Sequence, residues 1–268
     1  MKKIALTSLA ALFAVSAASA ANVIDNNPLY RPDAGRFYSV TAVETHSEAD
    51  MNYWGLGQEF GYGITDKLAI TMGTDLSADF EDDFIGSWDN FSLGLNYRVL
   101  DDKNWKADVF GKYGVGGISL PGLSMGAVWG DHAEFLDKDM TFYTWTVGAR
   151  GGYVTGDWTI AGHVAFDYLN LESFNWGDEG KHRVRLGLDG QYVIDGDWNL
   201  TAGAEYAGIV DSNADHAGTW VGTFGVNYNI DATKFVGAYV GKEMFDSAAD
   251  GWDFADGFAW GLKFGIDF

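Results

Sequence analysis

Seven basic and seven acidic side chains alternate with apolar neighbours along this 268-residue chain. The bases are Arg98, Lys106, Lys112, Arg150, Arg183, Arg185 and Lys263; the acids are Glu59, Asp75, Asp108, Asp167, Asp189, Glu205 and Asp267. Around 181–194, for example, Arg183, Arg185, Asp189 and Gln191 oppose Val184, Leu186, Leu188, Tyr192 and Ile194. Charges of both signs on one enclosed face pair with one another, because an unpaired buried charge is strongly unfavourable. Two uses of such a set stay open: a salt-bridge network that fills an interior, or a charged constriction that orients solutes. His163 shares the polar face and reads as a hydrogen-bonded structural residue rather than a catalytic base. The chain shows no convincing nucleophile–base set and no phosphate loop. With no Cys it has no thiol nucleophile, thiolate metal site or disulfide. Acidic runs such as Glu81-Asp82-Asp83 suit loose contact with hard cations but lack the twelve-residue spacing of a calcium loop. No enzyme activity, metal or cofactor is expected.

The elements that carry these charges are strands. Alternation of period two dominates the chain, and it puts successive side chains on opposite faces of a pleated strand. Phe258, Trp260, Leu262, Phe264, Ile266 and Phe268 share one face, opposite Ala259, Gly261, Lys263, Gly265 and Asp267. Twelve such segments are expected, at roughly 36–45, 52–64, 66–79, 87–100, 103–117, 140–154, 157–170, 181–194, 197–210, 216–230, 232–245 and 256–268. The first is the weakest, since both its faces are mixed. Thirty-six Gly with 16% aromatic residues also favour an all-β chain, because Gly weakens helices.

Short turns with hairpin chemistry sit at Thr65-Asp66, Asp101-Asp102, Gly156, Asp195-Gly196 and Asp231. Longer acidic connections are expected at about 46–51, 80–86, 118–139, 171–180, 211–215 and 246–255. The two classes alternate, as in an up-and-down meander. The connection at 118–139 holds an apolar stretch, Leu120, Leu123, Met125, Val128 and Trp129, read as a constriction or cap over the mouth. Trp105, Trp158 and Trp198 follow short turns, while Tyr62, Tyr97, Tyr153, Tyr192 and Tyr228 precede them. A ring of amphipathic aromatics at one level is what a membrane interface selects.

Residues 1–20 have the form of a secretory signal: Lys2 and Lys3, an apolar run from Ile4 to Val15, then Ala18-Ser19-Ala20. That run is shorter than the ~18 residues of a spanning helix. A net charge of −21 and a pI near 4.3 argue against a nucleic-acid partner.

The ending FAWGLKFGIDF, with its terminal Phe268, resembles the final strand of Gram-negative outer-membrane β-barrels. The resemblance implies an all-β fold: a closed antiparallel up-and-down transmembrane β-barrel, here of twelve strands. It implies apolar side chains toward lipid and polar ones toward the lumen, and a terminal strand (Phe264, Ile266, Phe268) read by the barrel-assembly machinery. The expected organisation is a cleaved signal peptide over 1–20, a short periplasmic N-terminal segment over 21–35 and the barrel over 36–268. Expected partners are outer-membrane lipid, that machinery and small polar solutes.

Barrel enzymes match less well. An outer-membrane protease family uses Asp-Asp and Asp-His pairs, and this chain has Asp82-Asp83, Asp131-His132 and Asp215-His216 with flanks that do not match. A lipase family needs His and Ser two residues apart, whereas His46-Ser47 is adjacent. Only about fifteen residues separate the signal from the first strand, too few for an autotransporter passenger. The lumens of acidic-sugar channels are arginine-lined; Arg183 and Arg185 fit, and seven acids do not. The expected function is a narrow porin-like channel for passive diffusion of small polar solutes. The alternative is a non-conducting structural or surface-interaction barrel with acidic extracellular loops.

Overall fold

The computed structural model describes residues 27–48, 51–79, 85–116, 142–171, 181–194, 197–210, 218–231, 233–248, 251–254 and 257–268. Its strands are β1 (Phe37–Glu48), β2 (Met51–Gly63), β3 (Leu68–Asp79), β4 (Ile85–Asp101), β5 (Trp105–Gly116), β6 (Phe142–Val154) and β7 (Trp158–Leu171). They continue with β8 (Lys181–Val193), β9 (Trp198–Ile209), β10 (Gly218–Asp231), β11 (Lys234–Ala248), β12 (Gly251–Phe254) and β13 (Phe258–Asp267). Neighbours in sequence pair antiparallel, β10 pairs with β11, and β13 joins β11 to β1. The ring of strands therefore closes on itself. It contains twelve strands, because β12 pairs only with the end of β11, from Phe245↔Phe254 to Ala248↔Gly251.

All twelve alternating segments are strands of the ring. Two connections differ from expectation. β1 and β2 remain paired out to Glu48↔Met51, so a protruding hairpin stands where a loop over 46–51 was expected. The region 246–255 contains β12. Both extensions run past the apolar stripe, where a strand no longer needs alternation and so leaves no periodic signal. The apolar residues of 118–139 lie outside the described residues.

The two faces are inverted relative to a soluble barrel. Leu188 is 65% exposed and Val147 60%, whereas Asp108 and Asp167 are 1% exposed and Arg183 3%. The apolar core proper is small: Tyr38, Val40 and Phe235, with Tyr30 packed against them. An exterior of Leu, Val, Ile and Trp around a charged interior is stable when hydrocarbon surrounds it. The inner face accommodates long side chains by setting each across a glycine of the next strand. Tyr38 overlies Gly61, Tyr239 overlies Gly261, Phe235 overlies Gly265 and His163 overlies Gly187. That pairing accounts for the glycine-rich polar face, since a Cβ at these positions would collide with the ring.

Candidate functional site

Strand register determines which side chains share the lumen. All fourteen charged positions fall on the inner face. Arg98 stands opposite Asp108, Asp108 opposite Arg150, Asp167 opposite Arg183, and Lys112 opposite Thr146. Gly57 faces Asp75, Val40 faces Glu59, Ala42 faces Lys263 and Tyr38 faces Asp267. A bulge between Arg98 and Leu100 shifts the register where β4 approaches its turn.

Two charge networks form on the wall from β4 to β9. Near the short turns, Arg98 donates to Asp108 through Nε and Nη2, and Arg150 Nε donates to Asp108 Oδ2 at 2.8 Å. Asp101, at the rim, takes Lys106 at 2.5 Å and lies 3.6 Å from Arg98. Further toward the long-loop end, Asp167 accepts from Thr146 at 2.7 Å, from Arg183 Nε at 2.8 Å and from Arg185 Nε at 2.9 Å. Arg185 also lies 3.8 Å from Glu205. His163 joins this network with Nε2 2.7 Å from Glu205 and Nδ1 3.0 Å from Asp189. Both of its ring nitrogens are taken by carboxylates, so neither is left to act on a substrate. Across the lumen the acids are held by hydroxyls: Tyr38 donates to Glu59 at 2.5 Å, and Tyr239 donates to Glu44. Lys263 lies 5.7 Å over the Phe235 ring, and Lys112 is exposed to the lumen.

The charges are not evenly spread. Strands β4–β8 carry six inward cations (Arg98, Lys106, Lys112, Arg150, Arg183, Arg185) against Asp108, Asp167 and Asp189 inside and Asp101 at the rim. On the remaining wall, Lys263 is the one described inward Lys or Arg, against Glu44, Glu59, Asp75, Glu205, Glu243 and Asp267. Glu44 and Glu243 were not among the sequence candidates. Glu44 lies in the segment with mixed faces, and Glu243 follows the 220/221 bulge in register, where simple alternation fails.

The N-terminal segment also enters the lumen. Arg98 Nη2 donates to the Leu29 carbonyl at 2.6 Å, while Arg150 donates to those of Pro28 at 3.2 Å and Tyr30 at 2.8 Å. Leu29 is 2% exposed. The Tyr30 hydroxyl donates to Asp267 at 3.1 Å. Burial, aided by Asp267, pushes that hydroxyl well above the usual tyrosine range, so it remains a donor. The segment reaches β1 through Gly35, whose φ of 77° is a left-handed conformation that favours glycine. Gly63 sits directly under the Asp33 carbonyl, where any side chain would collide.

Outside, aromatic residues form two belts. Trp105 packs on Tyr153 at 5.1 Å, Trp158 on Tyr192 at 4.4 Å and Trp198 on Tyr228 at 4.9 Å near the short turns. Toward the other end, Trp54 meets Trp260 at 6.1 Å, Tyr113 meets Trp145 at 4.6 Å and Tyr206 meets Trp220 at 5.4 Å. The second belt follows from a spacing the sequence reading missed. Trp54/Tyr62, Trp105/Tyr113, Trp145/Tyr153, Trp198/Tyr206, Trp220/Tyr228 and Trp260/Phe268 are each eight residues apart on one face. Eight residues at roughly 3.3 Å span about 26 Å of strand, or about 20 Å along the axis at a tilt of about 40°.

Phe264 is 41% exposed and Phe268 56%, both outward, and Ile266 shares their face. Phe268 exchanges two backbone hydrogen bonds with Phe37, at 2.7 and 3.1 Å, and packs on its ring at 5.6 Å. The pairs Asp82-Asp83, Asp131-His132 and Asp215-His216 lie outside the described residues.

No family model matches the chain, and no curated protein matches its sequence. Solved structures do. The translocator domain of the autotransporter NalP from Neisseria meningitidis superposes with a TM-score of 0.59 at 15% identity, covering 98% of this chain and 97% of its own. An outer membrane channel from Pseudomonas putida F1 gives 0.57 at 13% identity, covering 90% and 98%. The NanC porin gives 0.56 at 10% identity, covering 84% and 98%. Their identity is low and their coverage nearly complete, so what they share with this chain is architecture: it has the twelve-strand fold of outer-membrane β-barrels, without a match to any one subfamily.

Proposed function

We propose that this protein is a channel in the outer membrane of a Gram-negative bacterium, through which small polar solutes diffuse. The observation that carries the reading is the division of the lumen into a cation-rich wall, β4–β8, and an acid-rich wall, β9–β13 with β1–β3. Opposed charges across a narrow polar passage orient a dipolar solute and replace part of its hydration, which lowers the barrier to entry without tight binding. The porin and channel among the similar folds support this reading, and it assigns the protein no catalysis. Single-channel recording of the refolded protein in a planar bilayer tests it. Discrete conductance steps are expected, with Lys112→Glu and Asp75→Lys changing the ion preference in opposite directions.

A second reading is favoured by the density of the short-turn half, where Asn227 is 0% exposed and Asn199 and Asp108 are 1%. A barrel filled in this way would conduct nothing and act through its acidic outer loops. Absence of conductance steps from a correctly folded sample would favour it.

A further inference from the structure

We propose that the N-terminal segment from Asn27 to Arg36 is the constriction of this barrel: a strap across the short-turn mouth that sets the size of solute admitted. The inference rests on the channel reading above and names the element that limits it. The strap spans the lumen rather than lining one wall. Its Pro28, Leu29 and Tyr30 carbonyls are held by Arg98 on β4 and Arg150 on β6, while the Tyr30 side chain reaches Asp267 on β13. In the ring order, β13 stands five strands from β5 in one direction and seven in the other, nearly a diameter. The Tyr30 ring meets Tyr38 edge-on at 5.8 Å and joins the apolar group of Tyr38, Val40 and Phe235, which closes that side of the mouth. Arg31 fastens the next residue to the β2–β3 turn through the carbonyls of Thr65, at 3.0 Å, and Asp66.

The way the strap is held suits a removable element. The two arginines grip main-chain carbonyls, and both also hold Asp108, so neither is left without a counter-charge when the strap leaves. Gly63 keeps the surface beneath Asp33 bare, and Ala34 bridges Gly63 as a single rung rather than as a strand. Undocking the strap therefore breaks no barrel strand pairing beyond that rung.

The test compares the chain with a deletion of residues 27–34, both refolded into planar bilayers and into vesicles for sugar-swelling assays. The deletion is expected to raise single-channel conductance several-fold and to admit larger sugars. Equal conductance and equal size limits would overturn the strap while leaving the channel intact. Absence of conductance in both would remove the channel reading and the strap with it. A milder pair guards against misfolding. Because the chain has no Cys, Leu29→Cys introduces a single thiol. Slow reaction with a bulky maleimide in the folded barrel is expected, accelerated by Tyr30→Ala with Arg31→Ala. Fast labelling without those changes would overturn docking.

Discussion

Asp167 shows how tightly the residues of this lumen depend on one another. One carboxylate at 1% exposure serves Thr146, Arg183 and Arg185, and both arginines are themselves buried. Replacing it by Asn removes the carboxylate that the Arg183 and Arg185 guanidinium groups share. Breaking a buried pair from one side typically costs about 3–5 kcal/mol, because the remaining charge stays desolvated. Asp167→Asn is expected to lower unfolding stability in urea by an amount of that order. Lys112→Glu, at a position exposed to the lumen, should leave stability nearly unchanged. That these charges share one face was legible from alternation, while their inward direction followed from the resemblance to outer-membrane barrels. Their partners were not: Asp167 and Arg183 meet through register, and the carbonyls that occupy Arg98 and Arg150 carry no signature in a sequence.

At the scale of a strand, the outward face has its own requirement. Leu188 lies mid-strand on β8 and is 65% exposed, so Leu188→Arg would place a charge in hydrocarbon at a cost of about 2–4 kcal/mol. Thr223→Arg, on the lumen face of β10 and opposite Gly203, which Asp189 also approaches, should destabilise less. Denaturation in lipid vesicles would measure the difference, and equal losses would mean that the outer face does not contact lipid. β13 depends on its last residue. Phe268 pairs backbone to backbone with Phe37 where the ring closes. Deleting it should reduce the heat-modifiable, membrane-inserted protein recovered from cells. The twelve strands were readable because each must keep a stripe of apolar residues over its membrane-crossing length. β1, β2 and β11 extend beyond that length as paired backbone. Hence the outer hairpin at Glu48↔Met51 and the short β12 gave no periodic signal.

For the molecule as a whole, the belts and the lumen were unequally readable. The aromatic spacing of eight residues was present in the sequence throughout, while the polarised lumen emerged only when the ring order placed β4–β8 opposite β1–β3 and β11–β13. The described inner face carries seven Lys and Arg against nine acids, counting Glu44 and Glu243 and leaving aside Asp101 at the rim. The chain as a whole has a net charge of −21. In the proposed channel both would bias passage toward cations by raising their concentration at the mouth. The protein in a bilayer under a salt gradient is therefore expected to show a reversal potential of the sign given by cation preference. The preference should weaken as salt rises, since the screening length falls from about 10 Å at 0.1 M to about 3 Å at 1 M. Asp75→Lys should shift the potential toward anions and Lys112→Glu further toward cations, because both positions face the lumen and Lys112 is open to its water. A preference that does not respond to salt or to either substitution would mean that ions do not pass between these two walls.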